Sequence, residues 1–471
     1  MSTLFRIPFL FNQKASKFVN NVRYASQAVV KDSLIGNKQP KWMSAEEAIS
    51  CIKSDDLVVL HPLLSTPRLL TDALAKHGKK NCLQNVKLFQ AFTYGCEQLN
   101  TKEMNGIFRP LAFFVSPEVR ECINSGRGDY LPIFLCETSR LFQRNILKPR
   151  VTLLHVSPAD KDGYYSLGIN VVFVRAAIEN SEIIIAQVNP RMPRTFGDSL
   201  IHESCFDALV ESNMEIPEVK TPEITENEMK IAKLIAHNLV ENGSTLQVGI
   251  GSIPDAVLQQ LTKHKDLGIH TEMISDGCVD LINSGVINNR MKKICPELSV
   301  STLTIGTRKV YDFLDNNTSV VFKSTEFTNS EYVIAQNPKV VAINSCIEID
   351  IVGNVNSDTI GPTVYSGFGG QVDFLRGAAS ALDGKGKAIL TFLSTTSKGS
   401  SKIVPFLKQG SSVTTTRAHV HYVVTEYGIA NLFGKNYRQR AYALINIAHP
   451  DHRQSLEKAA FDRLKCIPSP D

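Results

Sequence analysis

The 471-residue sequence contains no uninterrupted apolar run of about 18 residues, so no transmembrane helix is expected. Its ten cysteines (51, 82, 96, 122, 136, 205, 278, 295, 346 and 466) form no C-x-x-C pair and no Cys/His cluster at zinc spacing. A metal site is therefore not expected, and most of these thiols should be buried in a reducing compartment. The sequence also lacks G-x-S-x-G, H-E-x-x-H and G-x-x-x-x-G-K-[ST], which argues against serine-hydrolase, zincin and P-loop chemistry. Charge is missing where a nucleic-acid partner would need it. The net charge of +5 arises within residues 1–31, where Arg6, Lys14, Lys17, Arg23 and Lys31 face no acid; beyond them 46 bases balance 46 acids. No basic stripe is left to bind a phosphate backbone.

That acid-free start, "MSTLFRIPFLFNQKASKFVNNVRYASQAVVK", is basic and roughly amphipathic, the composition of a mitochondrial presequence. "RYAS" places the expected cleavage after Tyr24, with the mitochondrial matrix as destination; a disordered basic tail is the plainer alternative. With 43% hydrophobic residues, the rest is long enough for two or three domains with sizeable cores. Short β-branched runs recur: "DLVVLHP", "VTLLHVSP", "EIIIAQVNP", "STLQVGIG", "VVAINS", "KAILTFL" and "HYVVTEYG". None alternates strictly, as expected of strands covered on both faces in a parallel sheet. Helical patterns such as "ENEMKIAKLIAHNLVEN" and "SIPDAVLQQLTKH" lie between them. The expectation is two open α/β domains with mainly parallel buried sheets, over 40–214 and 226–455, followed by a polar tail. Segment 212–230, bearing proline and many glutamates, is read as the linker. Its "TENE" predicts a capping box, with Thr225 as cap and Glu228 three residues on.

Three stretches draw attention as chemistry. "LQVGIGSIPDAVLQQL" puts Gly249, Gly251 and Ser252 at a strand-to-helix turn, where free N–H groups suit a phosphate, a carboxylate or a developing oxyanion. Pro254 stands where a dinucleotide fingerprint needs its third glycine, so simple α/β punctuation is an equal reading. "YSGFGGQVDFLRGA" clusters Gly367, Gly369 and Gly370 before Asp373 and Arg376, which suits either a ligand-facing backbone or a surface loop. "DLGIHTEMISDG" sets Glu272 among apolar residues with no helical period to carry it to solvent.

"GIGSIPDAVL", "DLGIHTEMISDG", "GGQVDFLRGA" and "VVTEYGIANLFGK", in that order, resemble motifs of the acetyl-CoA hydrolase/transferase family, a branch of the class I CoA-transferases. "SPADKDGYYSLG" and "IIIAQVNPRMPRTFGDS" extend the resemblance through the first half, to roughly residues 40–455. The likeness is greatest to mitochondrial acetate:succinate and 4-hydroxybutyrate CoA-transferases. It implies that Glu272 is the nucleophile, forming a mixed anhydride and then a glutamyl-CoA thioester. It further implies N–H groups of Ile253 and Gly370 as oxyanion donors. CoA contacts map to Gly249, Ile250, Gly251, Ser252, Ile253, Ile347 and Gly370, with Lys398 a further contact. Acyl-CoA and small carboxylates are the implied partners, a homodimer the implied assembly, and no bound cofactor is needed because the CoA thioester is itself the substrate. An ordinary carboxylate, with a pKa of about 4.3, would be ionised at neutral pH without a general base. The structural alternative for Glu272 is an ion pair with His270.

Other polar residues have plainer readings. Asp276 and Asp280 suit turn capping, Glu426 has no assigned step, and His202 with Glu203 lacks a second histidine for a metal. Arg191 and Arg194 suit either a substrate carboxylate or loop pairing. One departure stands out: where the family often carries "GG-A-x-T-P", this chain reads "HPLLSTP", keeping only Ser65, Thr66 and Pro67. That position bears on acyl specificity.

Overall fold

The computed structural model describes residues 34–471; the presequence expected over residues 1–31, with Tyr24, lies outside the described residues. The architecture is α/β with mainly parallel sheets. In the first half, eight parallel strands lie in the order Lys41–Trp42, Ala208–Glu211, Ile183–Val188, Val151–Val156, Leu57–Leu60, Val86–Ala91, Phe108–Phe114 and Asp129–Tyr130. In the second half, six strands run Gly268–Ile269, Thr245–Val248, Val340–Ser345, Lys387–Thr391, Tyr422–Thr425 and Gly428–Asn431; only the last pairs antiparallel. All seven β-branched runs singled out in the sequence are strands of these two sheets. Helices cover the sheets, which is why the strand interiors are apolar on both faces.

The segment between the halves is packed rather than loose. Ile216 is buried, the Pro217 carbonyl accepts the Tyr311 hydroxyl at 2.7 Å, and Val219 N–H donates to Gly306 O at 2.9 Å. Thr225 and Glu228 form the expected capping box at the start of helix Glu226–Asn238. The polar tail expected after 455 begins inside a helix, Pro450–Leu464, which seats only Leu456 and Ala460 in the core. Two buried residues in fifteen leave too faint an apolar period to recognise.

The halves share one core. A single cluster runs from Val59 and Phe113 in the first half to Ile253, Met273 and Val424 in the second. Phe196–Gly197 of the first half pairs with Val320–Phe322 of the second. Phe89, Phe113 and Phe173 meet with ring centroids 5.2 to 5.6 Å apart in the core of the first half, and Phe113 reaches the junction between the halves.

Candidate active site

A cleft of about 330 Å³ opens where the two halves meet. The first half contributes an apolar side, including Pro62, Leu63, Phe92, Phe113, Phe114 and Leu135. From the second half come Gly249 and Ile250, Asn344 and Ser345, Glu272, and the run Gly367–Gln371. These segments converge for a topological reason. Strands Thr245–Val248 and Val340–Ser345 are parallel neighbours, so the loops leaving their carboxyl ends emerge side by side, the usual place for a ligand in an open α/β sheet.

The Gly249 loop is shaped by backbone. Gly251 has φ +120° with no atom near its missing Cβ, so conformation rather than space demands glycine. Helix Ser252–Gln260 follows at once, so the N–H groups of Ser252 and Ile253 have no intrahelical acceptor.

Glu272 is held through its backbone. Its carbonyl accepts the N–H groups of Thr302 at 3.1 Å and Leu303 at 3.0 Å, and the Ser301 hydroxyl at 3.1 Å. Thr271 ties the same segment to Val248 through its hydroxyl, which donates to the Val248 carbonyl at 3.2 Å. The Glu272 carboxylate receives the Gly370 N–H and, at Oε2, the Asn329 amide at 3.2 Å. A Cβ on residue 370 would stand 1.9 Å from that Oε2 and 2.3 Å from Asn329 Nδ2, so only glycine fits. Gly367 is similarly restricted, its Cβ position lying 2.5 Å from the Phe113 carbonyl of the other half.

Electrostatics corrects one expectation. Glu272 keeps a little surface on the cleft, but protein encloses it. Loss of water pushes its carboxyl up to about 7; Asn329 and Gly370 lower it, and nearby Asp373 raises it. It is therefore not the ordinary carboxylate expected from sequence, and near neutral pH both protonation states are populated. His270 does not pair with it. That ring is buried and held neutral, its Nε2 lying 2.9 Å from the Thr328 carbonyl, and burial depresses its pKa to about 3.

Of the residues predicted for the site, Gly249, Ile250, Glu272 and Gly370 line the cleft together. Gly251, Ser252 and Ile253 lie just behind it, where the Ser252 hydroxyl donates to Glu228 and Ile253 is buried. Ile347 gives its N–H to the Asn356 carbonyl at 2.9 Å, and Asn344 and Ser345 of the preceding strand face the cleft in its place. Lys398 is an exposed residue in the turn between Thr395 and Ser401, outside the cleft lining. The arginine pair serves loop geometry: Arg191 pairs with Glu215 at 2.6 Å, and Arg194 with Asp160 at 2.5 Å. Asp276 accepts N–H groups of Thr307 and Val310, Asp280 pairs with Lys309, and Glu426 holds Ser394. Asn329 behind the cleft, and Gln247, Phe92, Phe113 and Phe114 in its lining, escaped the sequence reading, because nothing local marks a lone Asn, Gln or Phe as part of a site. Among the described residues no group of His, Cys, Asp and Glu is arranged to hold a metal ion, and no helix is long and apolar enough to cross a membrane.

Comparison with known proteins matches this arrangement to a family. Residues 37–220 match the acetyl-CoA hydrolase/transferase N-terminal domain, and residues 306–460 match the C-terminal domain of the same family. The chain belongs to the acetyl-CoA hydrolase/transferase family. It is 50% identical over 479 residues to a succinyl-CoA:acetate/propanoyl-CoA:succinate CoA transferase of Fasciola hepatica, covering 99% of this chain and 100% of that one. It is 45% identical over 417 residues to a 4-hydroxybutyrate coenzyme A transferase of Clostridium kluyveri, covering 88% and 96%. The crystal structure of RipA from Yersinia pestis superposes with a TM-score of 0.86 at 31% identity, covering 94% of this chain and 100% of that one. Acetyl-CoA hydrolases occur among the family's more distant matches, at 27% identity for one from Kluyveromyces lactis.

Proposed function

We propose that this protein is an acetate CoA-transferase of the mitochondrial matrix, moving CoA between acetyl-CoA and a carboxylate acceptor such as succinate. The observation that carries the reading is Glu272: a lone glutamate clamped at its carbonyl, presented to an apolar cleft and gripped by two N–H donors. In its ionised form the carboxylate attacks the thioester carbonyl and expels CoA thiolate, leaving a mixed anhydride. The thiolate then attacks the glutamyl carbonyl, acetate leaves, and a glutamyl-CoA thioester remains. An incoming carboxylate reverses both steps. Thioester energy is carried throughout, so neither ATP nor a metal is required.

The glutamate chain supplies reach. Aspartate is one methylene shorter, and the donors at Gly370 and Asn329 are fixed in place by a helix start and a buried amide. Gly370 and Ile253 are the proposed oxyanion donors, each worth roughly 3 to 4 kcal/mol in acyl transfer. CoA would run from the cleft along Gly249, Ile250, Gly251 and Ser252, past the strand end near Ile347, with Lys398 as an outlying contact. A homodimer belongs to the same reading.

The cleft favours transfer over hydrolysis. The support for that is the first-half side of the cleft, where Pro62, Leu63, Phe92, Phe113 and Phe114 give water no polar side chain to bind. The test is product analysis by mass spectrometry with acetyl-CoA, with and without succinate, alongside Glu272→Ala. Succinyl-CoA formed only with succinate and intact Glu272 supports the transferase. Free CoA and acetate at equal rates in both mixtures make the protein an acetyl-CoA hydrolase instead.

A further inference from the structure

Behind the cleft lies a second buried carboxylate. Asp373 sits in the first turn of helix Gln371–Ala379 and is 6% exposed. Its Oδ2 accepts the Cys136 backbone N–H, from the first half of the chain, at 3.1 Å. The same Oδ2 accepts the Asn329 amide at 3.3 Å, while that Nδ2 also donates to Glu272 Oε2 at 3.2 Å. One NH₂ group thus joins two carboxylates. Asn329 is wholly buried and its Oδ1 has no hydrogen-bond partner. Reversing the amide would aim a carbonyl at two anions, so the orientation is set by the acceptors.

We propose that Asp373 is a positioning residue for the nucleophile: it takes one Nδ2 hydrogen of Asn329, turns the other onto Glu272, and through its negative charge raises the energy of the resting Glu272 carboxylate. The inference rests on Glu272 as nucleophile. When Glu272 becomes an anhydride or a thioester its charge is gone, and the repulsion from Asp373 goes with it. Asp373 therefore favours the covalent intermediate over the free carboxylate without touching substrate.

The surrounding groups support this reading. Burial raises the Asp373 carboxyl to about 6, Cys136 and Asn329 lower it, and Glu137 raises it. Arg140 is paired with Glu137 at 3.1 Å, and partial burial raises the Cys136 thiol and keeps it neutral, so the Asp373 charge is not cancelled by either. His270, two residues before the nucleophile, is held neutral.

Two variants separate charge from orientation. Asp373→Asn keeps an acceptor for Asn329 and removes the charge; Asp373→Ala removes both. In the full-length apoprotein labelled with ¹³C-glutamate, infrared titration follows the Glu272 carboxylate, assigned by its loss in Glu272→Gln. The expected result is a downward shift of the Glu272 midpoint by about one pH unit in Asp373→Asn. The acid limb of kcat/KM should move with it. Asp373→Ala should lose roughly tenfold in kcat, with Asp373→Asn recovering most of that loss. A Glu272 midpoint identical in wild type and Asp373→Asn overturns the inference, whatever the activity. A shifted midpoint in a protein that transfers no CoA upholds the coupling and instead refutes the proposed reaction. Because Asp373→Asn is isosteric, the titration decides the matter even if Asp373→Ala does not fold.

Discussion

Replacing Gly370 by Ala should separate catalysis from stability. The added Cβ would stand 1.9 Å from Glu272 Oε2 and 2.3 Å from Asn329 Nδ2. A carbon needs roughly 3 Å from a non-bonded oxygen, so the carboxylate must retreat by about 1 Å. A misplacement of that size at reacting atoms costs on the order of 100-fold in rate. The backbone has no reason to object, since φ −98° and ψ 8° are open to any L-residue. Gly370 is an N-cap, so alanine costs about 1 kcal/mol there. For a protein of this size each kcal/mol lowers Tm by only about 1 °C. The assay is initial-rate CoA transfer from acetyl-CoA to succinate, beside a thermal melt. A variant within threefold of wild type at a near-native Tm would show that the glutamate is not held where the chemistry requires, and the site assignment would fall.

Leu63 holds φ +58°, a left-handed conformation that suits glycine, and it lines the cleft where the family's glycine pattern is broken. Leu63→Gly should relieve roughly 1 kcal/mol of strain against a similar loss through the unfolded chain, leaving a net cost of about 1 to 2 kcal/mol from the partly buried side chain. It should also raise kcat/KM for butyryl-CoA relative to acetyl-CoA by about tenfold, and an unchanged chain-length preference would refute the role. The rate should rise with pH through about 7 as Glu272 ionises. Its folded pKa lies above the unfolded value, so the folded state holds the extra proton and stability falls as pH climbs from about 4.5 to 7. Glu272→Gln should remove that loss, raising stability at pH 8 by at most about 3 kcal/mol and very little at pH 4; equal gains at both pH values in denaturant titrations would contradict the assignment. Lys292 is buried, and its ammonium donates to the carbonyls of Ile269 at 2.7 Å and Leu298 at 2.6 Å beside the nucleophile segment. Lys292→Met should destabilise by about 2 to 5 kcal/mol, measured by urea melts, because two buried carbonyls lose their donor; a loss under 1 kcal/mol would argue that the ammonium is dispensable.

What sequence could reveal was local. The strands were legible because a strand covered on both faces must be apolar throughout, and runs such as "VTLLHVSP" can serve little else. Gly251 and Gly370 were legible as glycines because a positive φ or a filled Cβ position leaves no alternative, but the two reasons look identical in one-letter code. Strand Phe108–Phe114 was missed, since Pro110 breaks its apolar run; it is a strand because its neighbours on both sides pair around the proline.

The ionisation of Glu272 lay further out of reach, because it depends on three residues distant in sequence. Asn329 lies 57 positions on, and Gly370 and Asp373 about a hundred, the last two delivered together by the start of helix Gln371–Ala379. A side chain's charge state is set by the dielectric and dipoles around it, and those exist only once the halves close on one another. Leu63 makes the same point from the opposite side. Leu63 reads in sequence only as a departure from a glycine pattern, yet its φ of +58° is one that glycine adopts readily and its side chain serves as cleft wall. Catalysis can survive such a change because the nucleophile and its donors all belong to the second half, whereas Leu63 and the phenylalanines belong to the first. The division lets the acyl wall vary while the glutamate and its grip stay fixed. It follows that exchanges confined to Leu63, Phe92 and Phe114 should alter which acyl group is carried while Asn329 and Gly370 keep their grip on Glu272.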